Sequence, residues 1–185
     1  MELRLQECLW PGEKILWSGR PRPFALLDRV LRRPILLTWG LSAVILLAAA
    51  AAARFVLDAA RLPLLEVLLL TMVAMLLPAA ISLRPVLDKY RLEERTIYAI
   101  TDRRVISIVQ DEVMYLPLAK GLRVAVDSQS DGCGNLRFGD TVGAPAKKDR
   151  AYAVVGIHAD ESRGDALGLL FYHVAQPEQL LSYLV

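Results

Sequence analysis

Residues 34–53 read PILLTWGLSAVILLAAAAAA, residues 62–83 read LPLLEVLLLTMVAMLLPAAISL, and RFVLDAAR joins them. The first run has no ionisable group and the second has only Glu66. At about 1.5 Å per residue each makes a helix of about 30 Å, the thickness of a bilayer's hydrocarbon core. Neither run has the polar face that a helix in water needs, which argues against a soluble hairpin. A cleaved signal peptide fits no better. The first run begins at residue 34, is too long for an h-region and is followed by a second span. The expectation is a transmembrane helical hairpin over residues 34–84.

Composition agrees with that partition. The chain has 185 residues, of which 55% are hydrophobic and 23% charged, with a net charge of +2. So much apolar content excludes a disordered chain, and so small a charge gives no reason to expect nucleic acid as a partner. Arg20, Arg22, Arg29, Arg32 and Arg33 precede the first span. Arg84, Lys89, Arg91 and Arg95 follow the second, against Arg54 and Arg61 between them. Positive-inside bias then puts both termini in the cytoplasm. Cys8 and Cys133 form no CxxC pair, so neither a disulfide framework nor a zinc motif is indicated. Glu66 lies about one turn from the outer end of its span. There it can reach the interface, pair with Arg54 or Arg61, or meet another membrane subunit. Pro78 is expected to kink the second helix.

Beyond residue 84 short β-rich runs replace the helical block. They fall at 96–100 (TIYAI), 105–109 (VISIV), 113–118 (VMYLPL), 122–126 (LRVAV), 135–138 (NLRF), 152–157 (YAVVGI) and 167–174 (LGLLFYHV). A spacing of roughly ten residues predicts an antiparallel sandwich or barrel over residues 85–185. APAKKDRAY and HADESRGDA have the composition of loops. The end of the chain, 177–185, starts with proline and places Leu180, Leu181 and Leu184 on one face, which predicts a capping helix. In the cytoplasmic segment 1–33, residues 14–18 read as a strand that joins the sheet, so the hairpin would be an insertion near the start of that domain. Residues 24–31 (FALLDRVL) read as an amphipathic helix on the lipid surface, with Arg29, Arg32 and Arg33 toward anionic headgroups. Trp10 and Trp17 call for burial or an interface.

Several of these stretches form an order that resembles a known family. LWPGEKILWSGRP at 9–21 is similar to an opening pattern of PGE, apolar residues, W, G and P. YAITDRRV at 98–105 is similar to a Y-x-hydrophobic-T-x-x-R hairpin. LPL at 116–118, GNLRFG at 134–139 and FYHV at 171–174 follow, before the proline-started helix. This is the order of the bacterial pleckstrin-homology-like (PH domain) two-span inner-membrane proteins. The resemblance implies an α+β membrane protein in which a PH-like barrel or sandwich, capped by a C-terminal helix, is tethered to the inner membrane. It implies no catalytic residues. The loop at 141–150, with Lys147-Lys148-Asp149-Arg150, is longer and more basic than the family pattern.

The residues themselves offer little chemistry. His158 and His173 lie in no nucleophile motif and have no metal-ligand spacing, and Cys133 has no base beside it in sequence. No phosphate-binding or dinucleotide motif occurs. The sequence therefore predicts no catalytic, cofactor or metal residues. Three functions remain. The chain could be a non-enzymatic membrane-anchored interaction module, an accessory or assembly subunit that docks other membrane-protein subunits or a second copy of itself. It could be a module responsive to anionic membrane lipid. It could be an enzyme or transporter component, for which the residues give least support. The first is preferred, with Glu66, Arg29, Arg32, Arg33, Arg103, Arg104, Lys147, Lys148 and Arg150 as candidate partner or lipid contacts. Asp102-Arg103-Arg104 is expected as a solvated turn.

Overall fold

The computed structural model describes residues 2–28, 31–60, 63–155, 157–160 and 165–184. The chain divides into two compact units, one of Met1–Ala25 with Asp88–Val185 and one of Leu26–Leu87. The second unit is thus an insertion in the first.

The inserted unit holds most of two long helices, α2 (Arg32–Ala60) and α3 (Leu64–Arg95), preceded in the chain by a short α1 (Glu2–Glu7). Both long helices exceed the runs that predict them. α2 continues through Arg54 and Phe55, where a connecting loop was expected, and α3 continues past residue 83 to Arg95. The extra residues, such as Leu57, Ala59, Ala60, Leu87, Lys89 and Arg91, are good helix formers, and a polar character does not stop a helix already nucleated. Asp28 starts α2: its carboxylate accepts from the Leu31 N–H at 2.8 Å and its carbonyl from the Arg32 N–H at 2.9 Å, a capping arrangement. α3 runs on through Pro78 and Pro85. Between the two helices the Trp39 indole donates to the Ser82 carbonyl at 3.0 Å. By length and composition both helices could cross a membrane. Large apolar side chains stand exposed along them, among them Leu37, Leu41, Val44, Leu47, Phe55, Leu68, Val73 and Leu76.

The other unit is built on one sheet of eight strands among the described residues. They are β1 (Ile15–Gly19), β2 (Thr96–Thr101), β3 (Arg104–Val109), β4 (Glu112–Pro117), β5 (Val124–Ser128), β6 (Cys133–Gly139), β7 (Ile157–Asp160) and β8 (Asp165–Ala175). The order is β1-β2-β3-β4-β8-β6-β5, with β7 also on β8. Neighbours are antiparallel except β4 and β8, which meet in parallel at Tyr115 and Asp165. The path is open, with β1 and β5 at its ends, so the sheet does not close into a barrel. The expected N-terminal strand is present: Trp17, Ser18 and Gly19 pair with Ile100, Ala99 and Tyr98.

Alternation along β2 and β3 fills two cores. Tyr98, Ile100, Val105 and Val109 join Leu136, Phe138, Leu169 and Phe171 in the larger one. Ile97, Ala99, Ile106 and Ile108 face the other way and are covered by Leu5 of α1. That helix had no counterpart among the expected elements. Trp17 is half-buried and stacks on Phe171 at 6.0 Å. Its ring lies 2.5 Å from where a Cβ on Gly19 would stand, so the W-x-G spacing has a steric cause. At the end of the chain, α5 (Pro177–Leu180) and a 3-10 turn (Leu181–Tyr183) replace the expected longer helix. Leu180 and Leu184 pack on the larger core, whereas Leu181 is exposed.

Two expectations for local structure are corrected. Residues 152–155, the bulk of the strand expected over 152–157, are helical. A 3-10 turn (Ala146–Lys148) leads into α4 (Asp149–Val155), with Asp149 in its first turn, and α4 packs against β8. Tertiary packing and the helix-forming Ala151 and Ala153 outweigh the β propensity of Val154 and Val155. β7 then takes Ile157 from the end of the expected strand and His158, Ala159 and Asp160 from the stretch assigned to a loop. Residues 24–28 are not the start of an amphipathic helix: they are irregular, with a turn at Leu26 and Leu27. Phe24 is buried, packs edge-on to Tyr172 at 5.0 Å and donates its N–H to Glu93 at 2.9 Å, which pins the segment in an irregular conformation.

Candidate functional site

The residues singled out as contacts separate into exposed and buried groups. Arg32 and Arg33 open α2 and are exposed, while Arg29 lies outside the described residues. Glu66 is exposed in the first turn of α3, where a carboxylate favourably meets the positive end of the helix dipole. Arg103 is exposed in the β2–β3 turn, and Lys147 and Lys148 are exposed on the 3-10 turn before α4. Arg104 and Arg150 are buried. The Arg150 guanidinium lies over the rings of Phe24 at 4.8 Å and Tyr172 at 5.9 Å.

Arg104 corrects the expectation of a solvated turn. The turn occupies only Asp102 and Arg103, and Arg104 is the first residue of β3. Its Nε and Nη2 each donate to a different Glu13 carboxylate oxygen at 2.9 Å, and Nη2 also reaches the Cys8 carbonyl at 2.6 Å. The guanidinium is flanked by the Trp10 ring at 4.1 Å and the Tyr115 ring at 4.7 Å. Thr101 donates its hydroxyl to Glu13 at 2.7 Å and accepts from the Arg104 N–H. Burial alone would raise the Glu13 carboxyl. Hydrogen bonds from Arg104, the Trp10 amide and Thr101, together with the Arg104 charge, more than offset this and hold it below its ordinary value. The PGE and T-x-x-R stretches therefore converge on one buried ion pair.

A second polar network lies beneath β6 and β8. Arg137 donates to the two carboxylate oxygens of buried Asp149 at 2.6 and 3.3 Å, and Asn135 donates to the same carboxylate at 3.1 Å. Burial raises the Asp149 carboxyl, and Arg137 and Asn135 offset only part of that shift. Asn135 also accepts the His173 N–H through its Oδ1 at 2.8 Å. That bond fills a bulge: pairing between β6 and β8 shifts between Gly134 and Leu136, and His173 takes a left-handed φ of 49°. Histidine is among the residues that tolerate this region, and a bulge beside a polar cluster is a recurrent way to re-aim a side chain. Gly134 is required here, because a Cβ would stand 2.5 Å from the Asp127 carbonyl.

Beside the bulge, Asp131, Cys133 and His173 each offer a ligand atom, all within 4.8 Å of one another. Asp131 Oδ1 accepts the Cys133 N–H at 3.0 Å, while Oδ2 lies 3.8 Å from His173 Nε2. The His173 side chain is 9% exposed and walled by Phe24 and Tyr172. Burial pushes the Cys133 thiol up, the Asp131 charge adds to that effect and Arg22 opposes it. A thiol held protonated is a poor nucleophile. Sequence reasoning missed this trio because Cys133 and His173 are remote in the chain. The register that pairs Cys133 with Ala175 brings them together. The available signal was Asp131-Gly132-Cys133, whose aspartate is spaced to bond an amide two residues on.

In the same unit a cleft of about 520 Å³ is lined by Trp17, Arg20, Arg22, Gln179, Leu180 and Tyr183, among others, and the Arg22 N–H donates to the His173 carbonyl at 2.8 Å. Compared with known proteins, the chain matches no family model, no curated protein and no solved structure.

Proposed function

We propose that the chain is a non-enzymatic, membrane-anchored interaction module. In this reading α2 and α3 cross the inner membrane, and a PH-like unit on the cytoplasmic side docks a partner protein as an accessory or assembly subunit. The observation that carries it is the exposure of large apolar side chains along both long helices, which water would disfavour and lipid would accommodate. Arginine flanks both ends of the described hairpin more heavily than its connection, as Arg32, Arg33, Arg84, Arg91 and Arg95 do. Docking is supported by the cleft between residues 17–23 and the C-terminal helix, whose tryptophan, tyrosine and arginines are the residue types that dominate binding energy at interfaces. The PH-like assignment rests on the succession of antiparallel hairpins and on the C-terminal helix that places Leu180 in the core.

Extraction from native membranes in mild detergent tests this reading. A stoichiometric membrane-protein partner, retained by the wild type and lost on Trp17→Ala with Tyr183→Ala, is the expected result. A chain that carbonate washing strips from membranes, or one that purifies alone, overturns it. Thiol labelling adds the orientation: a reagent that does not cross the membrane should leave Cys133 unmodified in intact cells. Glu66→Gln is expected to leave insertion and thermal stability within about 0.5 kcal/mol of wild type, as an exposed substitution usually does. Reduced partner retention in that variant would place the partner at the outer end of α3.

The second reading, an anionic-lipid module, is favoured by the exposure of Arg103, Lys147 and Lys148. It requires the purified chain to cluster on anionic vesicles at low salt and to release at high salt, where surface charge is screened.

A further inference from the structure

We propose that Asp131, Cys133 and His173 bind one zinc ion, with a fourth coordination position left open to water or to a donor from a partner. Thiolate, imidazole and carboxylate together are a set of borderline softness, which favours zinc over magnesium or calcium. A tetrahedral site with zinc bonds of about 2.0–2.3 Å needs ligand atoms about 3.3–3.8 Å apart. Asp131 Oδ2 and His173 Nε2 are already 3.8 Å apart, and all three ligand atoms fall within 4.8 Å of one another. That 3.8 Å separation is too long for a hydrogen bond, so the carboxylate and the imidazole face each other without one.

The surroundings fix two of the ligands. His173 is nine-tenths buried, and its backbone is held in the left-handed region by the Asn135 bond to its N–H. Asp131 is oriented by the Cys133 amide on Oδ1, which leaves Oδ2 to face the imidazole. The turn that carries Asp131 and Cys133 is exposed to partly exposed, with Gly132 at φ 76°, so the remaining approach of about 1 Å falls on the most adaptable part of the site. On binding, the Cys133 thiol loses its proton to solvent as the sulfur–zinc bond forms. Arg22, whose N–H donates to the His173 carbonyl at 2.8 Å, brings a positive charge to this corner that would oppose a bound cation.

The full-length chain in detergent, stripped with chelator, should take up one zinc per chain by calorimetry. Cobalt in place of zinc should give a thiolate-to-metal charge-transfer band. Cys133→Ser and His173→Asn should each weaken binding by at least about ten-fold, since even outer-shell changes cost that much. His173→Asn keeps at that position a residue type that tolerates positive φ. Asp131→Asn should weaken binding less while keeping the turn, because its amide oxygen can still accept the Cys133 N–H. Arg22→Ala should tighten binding, and Cys8→Ser should leave the band unchanged. Absence of saturable binding in the micromolar range, a cobalt spectrum without the thiolate band, or equal affinity in Cys133→Ser would each overturn the proposal. Cys133→Ser is a near-isosteric change at a partly exposed position, so the test stands even if His173→Asn fails to fold.

Discussion

Arg104→Ala should destabilise the β unit by about 3–5 kcal/mol, the usual effect of removing one partner from a buried pair. The Arg104 side chain is 3% exposed and that of Glu13 is fully buried, so the substitution strands a carboxylate away from water. It also removes the guanidinium's contacts with the Trp10 and Tyr115 rings and the donor to the Cys8 carbonyl. Arg104→Lys should recover only part of the loss, because an ammonium cannot make the two-pronged contact with Glu13. Replacing both partners, as Glu13→Leu with Arg104→Met, should be milder than Arg104→Ala alone. Denaturant unfolding of the full chain in detergent, followed by near-ultraviolet circular dichroism, reads the difference. An unchanged midpoint for Arg104→Ala would mean that the pair contributes nothing. The same pair sets an acid limit. Because the folded Glu13 carboxyl sits below its unfolded value, its contribution is complete above the unfolded pKa and is lost as pH falls through the folded one. The Glu13→Gln variant should lack that part of the acid transition.

Phe171→Ala should cost about 3–5 kcal/mol, as deletion of a fully buried aromatic ring does. Phe171 has no exposed surface and joins three aromatic partners: Tyr98 stacked at 4.4 Å, Phe138 edge-on at 5.0 Å and Trp17 stacked at 6.0 Å. These tie β1, β2, β6 and β8 together, so the cavity would open where four strands meet. The neighbouring Tyr98 hydroxyl accepts the Tyr172 N–H at 3.1 Å, so collapse of Tyr98 into the space would break a buried bond. Phe171→Leu, which refills most of the volume, should lose much less. Equal midpoints for Phe171→Ala and wild type would show that the ring is not part of the core that holds the sheet.

The strands legible in the sequence were those whose own residues specify them. TIYAI and VISIV around a short polar turn became β2 and β3, and β1 was visible from Ile15, Leu16 and Trp17. Elements whose conformation depends on remote partners were not legible. α4 is anchored by Asp149 to Arg137 and Asn135, a link that no local pattern around Ala151–Val155 announces. Helix α1 is short and mostly exposed, with Leu5 alone buried, so it carries almost no periodic signal. The charged candidates show the same division. Lys147 and Lys148 are exposed, as a basic loop suggests. Arg104 and Arg150 have the same side-chain chemistry but are buried among rings that come from distant segments. A pattern such as T-x-x-R says that an arginine matters, yet only the position of Glu13 shows that it matters as half of an internal ion pair.

The pairing of β1 with β2 across the whole inserted hairpin has a consequence for synthesis. At roughly 5–20 residues per second, β1 leaves the ribosome about 4–15 s before β2 follows. Throughout that interval the nascent chain has no sheet for Trp17 to join. A chain in which the two helices stall keeps the β2 edge without its neighbour, an open template of the kind that chaperones and proteases recognise. The sheet can thus be completed only after the whole hairpin has been made.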